Sequence, residues 1–172
     1  MPRTVRTDKE RMSPAEVARM FLYDPLSGEL ARCDRGHGIK PGRPTSGKNG
    51  DGYRVVRVKD RMYLVHRLAW VLTHGEWPEA DIDHINGVRL DNRIANLRPA
   101  TRSLNNANSK RPRTNKSGYK GVSWHAVGRK WLAQVKADKQ NHYLGLFDDP
   151  VQAHAAYVEA SRVLFGEYAR SA

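Results

Sequence analysis

The apolar positions of this chain fall in short runs whose period changes along the sequence, which predicts several small elements rather than one long one. Ser13-Pro14-Ala15-Glu16 is a helix start, with a hydroxyl to cap, proline in the first turn and glutamate three residues after the cap. Asp24-Pro25-Leu26-Ser27-Gly28 reads as a turn into a strand at Glu29-Leu30-Ala31. Tyr53 to Lys59 and Met62 to Val65 flank an Asp60-Arg61 turn and predict a hairpin. Leu64, Val65, Leu68, Ala69 and Leu72 then share one helical face, and Gly75 is placed to end that helix.

The stretch from Ile82 to Asn105, IDHINGVRLDNRIANLRPATRSLN, predicts a hairpin followed by a helix. A short apolar run ends at Asp83-His84, Asn86-Gly87 supplies a turn, Asn96-Leu97 enters a second strand, and Thr101 caps a helix carrying Asn105. Further on, Trp131, Ala133 and Val135 alternate with Lys130, Leu132, Gln134 and Lys136, while Leu144 and Leu146 oppose Asn141 and Tyr143. Asp149-Pro150-Val151-Gln152 opens a last helix with Ala153, Ala156, Tyr157, Ala160 and Leu164 as its buried stripe. The class is therefore α+β: a small N-terminal β-hairpin region, a central hairpin and helix, and a C-terminal three-stranded antiparallel sheet with one helix.

Composition narrows the partners. Thirty Lys and Arg against 18 acids give a net charge of +12 in 172 residues, which favours a polyanion through phosphate neutralisation. The single Cys33 excludes a disulfide within the chain and a Cys-rich zinc site. Mean hydropathy is −0.73, no apolar run reaches membrane-spanning length, and the amino end lacks the apolar centre of a signal peptide. The expectation is no membrane partner and a cytoplasmic protein that stays in the compartment where it is made. Residues 1 to 12 read as a basic arm, and Gly36 to Gly52, rich in Gly, Lys and Pro, as a loop that either links or touches DNA. Ser109 to Asn115 is a short extended linker whose Lys110, Arg111 and Arg113 suit a DNA backbone, with plain solvation as the alternative.

The central stretch also carries chemistry. Asp83 supplies one full negative charge for a hard dication such as Mg²⁺ or Mn²⁺, one ion per site, and the amide oxygen of Asn105 a neutral second ligand. His84, neutral at pH 7, is the general base for an attacking water. Adjacent strand residues face opposite ways, so the pair meets one phosphate only if the chain bends at Asn86-Gly87. Asn96 holds the imidazole and ties down the loop, with Asn92 the alternative for that place and Asn106 the alternative to Asn105. His66 reads as scaffold or phosphate contact rather than catalyst. Together these groups describe a phosphodiester-cutting site.

The same stretch resembles the HNH, or ββα-metal, nucleases, in the phage and intron-encoded form whose last motif residue is Asn. The likeness extends through His66-Arg67-Leu68-Ala69-Trp70, Gly75-Glu76-Trp77-Pro78 and Asn105-Asn106. Asn96 follows His84 by twelve positions and Asn105 follows Asn96 by nine, and the family's base, middle Asn and metal-binding residue correspond to these three. The resemblance implies an endonuclease of homing type on double-stranded DNA; one metal and one base make one cut, so a monomer nicks one strand and a double-strand break requires a second subunit, as in a dimer, or a second event.

A second resemblance covers Ser117-Gly118-Tyr119-Lys120-Gly121-Val122, Lys130-Trp131-Leu132-Ala133, Tyr143 to Phe147 and Ala153 to Ala160, which are similar to the Apetala/ethylene-response-factor DNA-binding domain. That family lays a three-stranded sheet in the major groove, which makes Lys120, Gln134, Lys136 and Tyr143 the expected contacts, with Lys130 beside them as a further DNA-binding candidate and Trp124 and His125 as either contacts or packing. Lys120 and Lys136 stand where Arg is usual, and lysine lacks the forked geometry for guanine, so looser base specificity follows. The expected organisation is a basic arm and helix over 1–22, a nuclease domain over 23–108, a linker over 109–116 and a DNA-binding domain over 117–172.

Overall fold

The computed structural model describes residues 12–33 and 47–170. The basic arm before Met12 and most of the Gly36–Gly52 loop lie outside the described residues. The chain divides into two compact units, Met1–Arg98 and Pro99–Ala172. The fold is α+β, as the patterning requires.

In the first unit, α1 (Pro14–Met20) begins on the capping box the sequence announces: Glu16 N–H donates to Ser13 Oγ, and Ser13 N–H donates back to the Glu16 carboxylate at 2.7 Å. It runs directly into β1 (Phe21–Tyr23), which pairs with β2 (Leu30–Arg32) across the Asp24–Gly28 turn. Asp24 ties that turn together by accepting from Ser27 Oγ and Leu26 N–H. β3 (Gly47–Lys48), β4 (Arg54–Val58) and β5 (Arg61–Leu64) form an antiparallel sheet. The loop expected through Gly52 therefore ends in a strand, because Asn49 closes a turn onto Tyr53 and sends Gly47 back alongside Val55.

Without a linker, β5 becomes α2 (Val65–His74), ended by Gly75 at φ 79°. Its Val65, Leu68 and Val71 join Val17, Phe21, Leu30, Val56 and Val58 in one core, while Ala69 packs with Ile82 and Leu97 in a second. Arg67 donates to the carbonyls of Pro78 and Ala80, fixing the segment that delivers β6 (Asp81–His84). β6 pairs with β7 (Leu97–Ala100), and the division between units falls inside β7.

The second unit starts with the remainder of β7 and α3 (Arg102–Ala107), capped by Thr101 and carrying Asn105. β8 (Val122–His125), β9 (Lys130–Ala137) and β10 (Gln140–Phe147) form a sheet in the order β10-β9-β8, covered by α4 (Pro150–Phe165). Asp149 caps α4 by accepting from Val151 N–H, with Pro150 in its first turn. Gly121 lies against this helix so closely that an added Cβ would stand 1.9 Å from the Tyr157 ring.

Two side-chain assignments are corrected. A bulge between Tyr143 and Gly145 shifts the alternation of β10, so Leu146 pairs with Leu132 on the face bearing Gln134, while Phe147 pairs with Trp131. On α4 the buried stripe is Ala153, Tyr157, Ser161 and Phe165, a strict spacing of four, and Leu164 is 43 % exposed. No helix among the described residues is long and apolar enough to cross a membrane.

Candidate active site

The loop between β6 and β7 is held by its own side chains. Gly87 N–H bonds back to the His84 carbonyl at 2.7 Å, and the Asn86 side chain accepts from Val88 N–H. Asn96, in the 3₁₀ turn Ile94–Asn96, accepts from Asn86 N–H at 3.0 Å and donates to the Asp91 carbonyl at 2.8 Å. Asp91 binds Arg93 and Asn86, and these partners hold its carboxyl down at about 2. The Asn86-Gly87 bend and the loop-tying role of Asn96 are thus both present.

The imidazole is held by a different amide. His84 Nε2 lies 3.2 Å from Asn92 Oδ1, and Asn92 is 1 % exposed. Both polar ends of the Asn96 side chain go to the loop instead, so the expectation that Asn96 orients the base is corrected to Asn92. The reason is that Asp91-Asn92 does form a turn, but one that turns its second side chain inward. An amide oxygen only accepts, so in this pairing Nε2 carries the proton and Nδ1 is the nitrogen able to take another. Burial pulls the His84 pKa below its ordinary value, partly offset by the Asn92 bond and the Asp83 charge, which keeps the ring neutral at pH 7.

Two aromatic side chains wall the ring. Tyr53 and His66 stand 5.8 and 5.0 Å from it, centroid to centroid. His66 is buried and its pKa is driven to about 3, mainly by loss of solvent, so it stays neutral packing and not a second acid or base. Arg89 lies over the Tyr53 ring at 4.8 Å, anchored to the Asp51 carbonyl.

Asp83 leaves β6 towards another partner: its Oδ2 accepts from Arg98 Nε at 3.0 Å, both side chains being nearly buried. Among the described residues no three His, Cys, Asp or Glu side chains gather around a possible metal position. One carboxylate with amide oxygens fits a hard, largely hydrated dication whose shell is completed by water and phosphate, and does not fit an ion needing three or four protein ligands. Asn105, half-buried on α3, belongs to the second unit.

A family model for HNH endonucleases matches residues 63–107. Protein 3.8 of Escherichia phage T7 is 34% identical to the chain over 106 residues, spanning 61% of this chain and 87% of that relative. The chain belongs to the Protein 3.8 family and contains an HNH endonuclease domain. No solved structure matches it significantly. The HNH match takes in the end of β5, α2, β6, the His84–Asn92 loop, β7 and α3, so the family match and the side-chain geometry converge on the same stretch.

The other expected contacts lie in the second unit. Gln134, Lys136 and Tyr143 share the sheet face away from α4, Gln134 opposite Tyr143, and Tyr143 is 67 % exposed. Lys130 borders this face and reaches Asp148 at 3.2 Å. Trp124 packs edge-on against Trp131 at 5.0 Å while remaining half exposed. Lys110, Arg111 and Arg113 are exposed, but the linker is turned rather than extended: Asn115 N–H bonds to the Pro112 carbonyl, and Arg111 donates to that of Asn115.

Lys120 is a clear correction. It is 7 % exposed, and its Nζ donates to the carbonyls of Ala107, Ser109 and Arg170. Burial lowers its pKa to about 8, so at neutral pH it is a buried ammonium satisfied by main-chain oxygens, and it cannot reach DNA. Sequence reasoning holds Asn92 as the alternative to Asn96, set aside because Asp91-Asn92 reads as turn chemistry, and does not single out Arg98 or Arg89.

Proposed function

We propose that this protein is a divalent-metal-dependent DNA endonuclease that nicks one strand at preferred sites, in the manner of homing enzymes. The observation that carries this reading is the neutral, buried His84 fixed through Nε2 by Asn92, next in sequence to the carboxylate of Asp83. His84 Nδ1 takes a proton from water, the oxygen forms a bond to phosphorus, and the P–O3′ bond breaks, leaving a 5′-phosphate and a 3′-hydroxyl that acquires a proton. Asp83 and, on the sequence spacing, the amide oxygen of Asn105 would hold Mg²⁺ or Mn²⁺. When bound, such an ion supplies charge neutralisation at the phosphate and the leaving oxygen.

The second unit serves as the DNA reader, with the face of Gln134, Lys136 and Tyr143 against the groove and Lys110, Arg111, Arg113 and Lys130 on the backbone. Its support is the likeness to the Apetala/ethylene-response-factor domain and the exposure of that face. One cut per domain makes the working form a monomer.

The test is supercoiled plasmid incubated with Mg²⁺ or Mn²⁺, parent against His84→Ala. Parent conversion to open circles that the variant lacks supports the reading, and equal or absent conversion overturns it. A second reading, a non-catalytic DNA-binding regulator, is favoured by one observation: Asp83 already has a cationic partner in Arg98. Tight binding without nicking would support that alternative.

A further inference from the structure

We propose that Tyr23, forty residues before the HNH match begins, is a positioning residue for the His84 chemistry; this rests on the nuclease reading above. Its phenol donates to the main-chain carbonyl of Asn92 at 2.7 Å, on the residue whose side chain binds His84 Nε2. A path of two hydrogen bonds thus leads from the N-terminal hairpin to the base.

Three further observations make this a clamp rather than a chance contact. Ile94 N–H donates to the Pro25 carbonyl at 3.3 Å, so the hairpin grips the peptides on both sides of Arg93. Gly28, at φ 75°, presses against the same backbone: a Cβ there would lie 2.5 Å from Arg93 N and 2.7 Å from the Asn92 carbonyl carbon. Burial raises the Tyr23 pKa to about 12, so the phenol remains a donor at any working pH. Asn92 itself is fully buried, and a buried amide whose main chain is fixed has little freedom to lose its partner. The clamp keeps the Asn92 oxygen on Nε2 and so keeps Nδ1 as the accepting nitrogen.

Removing the hydroxyl leaves ring packing intact, so Tyr23→Phe separates orientation from folding. Tyr63→Phe is the control, since that ring borders the same core as Tyr23 but stacks on Trp77, whereas the hydroxyl bonded to the Asn92 carbonyl is that of Tyr23. Tyr23→Phe should lower turnover in plasmid nicking roughly five- to tenfold with KM unchanged, the scale of one lost hydrogen bond, while Tyr63→Phe leaves it unaltered. Nitrogen-15 NMR of the His84 ring should show the parent protonated at Nε2 and the Tyr23→Phe ring divided between tautomers. Unchanged turnover together with an unchanged ring spectrum, or the same loss in Tyr63→Phe, overturns the proposal. Absence of nicking in the parent would defeat the nuclease reading alone, and the ring spectra would still decide whether Tyr23 governs His84.

Discussion

The guanidinium of Arg98 holds the carboxylate of Asp83 through Nε at 3.0 Å, so the residue proposed above as a metal ligand already has a cationic partner in the same chain. Breaking a nearly buried ion pair leaves the remaining charge uncompensated, which costs on the order of 3 kcal/mol. Arg98→Met should therefore lower the melting temperature of metal-free protein. Because the Asp83 carboxylate loses its Arg98 ion pair in the variant, Mn²⁺ should raise the melting temperature further in the variant than in the parent. Thermal denaturation with and without Mn²⁺ checks this, and equal shifts would remove Asp83 as a metal ligand.

Asn92 and Asn96 separate by what their loss changes. Asn92→Ala takes away the partner of the His84 ring and should reduce turnover roughly 10- to 100-fold, the scale for outer residues that orient a reacting group. Asn96→Ala removes two hydrogen bonds that close the β6–β7 loop and should cost about 2 kcal/mol of stability. Nicking kinetics beside urea denaturation distinguish them. A larger kinetic loss in Asn96→Ala than in Asn92→Ala would reverse the roles.

Lys136 and Lys120 predict opposite behaviour from the same residue type. Lys136→Ala on the open sheet face should weaken DNA binding at all sequences and reduce the slope of log affinity against log salt by about one. Lys120→Met should leave that slope unchanged and lower the unfolding midpoint, since three main-chain carbonyls lose their donor. Fluorescence anisotropy over a salt series and denaturant titration provide the two readouts.

Gly28→Ala should be more damaging than its chemistry suggests. It adds a strained left-handed backbone to a steric overlap with the Asn92–Arg93 peptide, and the expected loss is at least about 1 kcal/mol. Nicking should fall as well, because the displaced peptide carries Asn92. A variant with parental stability and activity would show that the turn does not press on the loop.

The sequence was most informative where a single residue type has a narrow use. The Ser13–Glu16 box, the Asp149-Pro150 helix start, Gly75 as a helix stop and the Asn86-Gly87 bend all stand where local patterning puts them. It was least informative where long side chains choose among distant partners. Lys120 lies in a basic, glycine-flanked segment that reads as surface, yet carbonyls 11 to 50 residues away in sequence enclose its ammonium. Asn92 looked like turn chemistry and is, but its side chain meets His84 and its main-chain carbonyl is held by a tyrosine almost 70 residues upstream. The bulge in β10 likewise defeats strict alternation, which assumes an uninterrupted ladder.

The grip of the Tyr23 hairpin on the Asn92 peptide bears on how such a domain could be moved between proteins. A cassette cut at the ends of the family match would transplant the carboxylate, the imidazole and the amides, but leave behind the hydroxyl and the glycine that brace them. Recombination that preserves the activity would have to carry the upstream ribbon along.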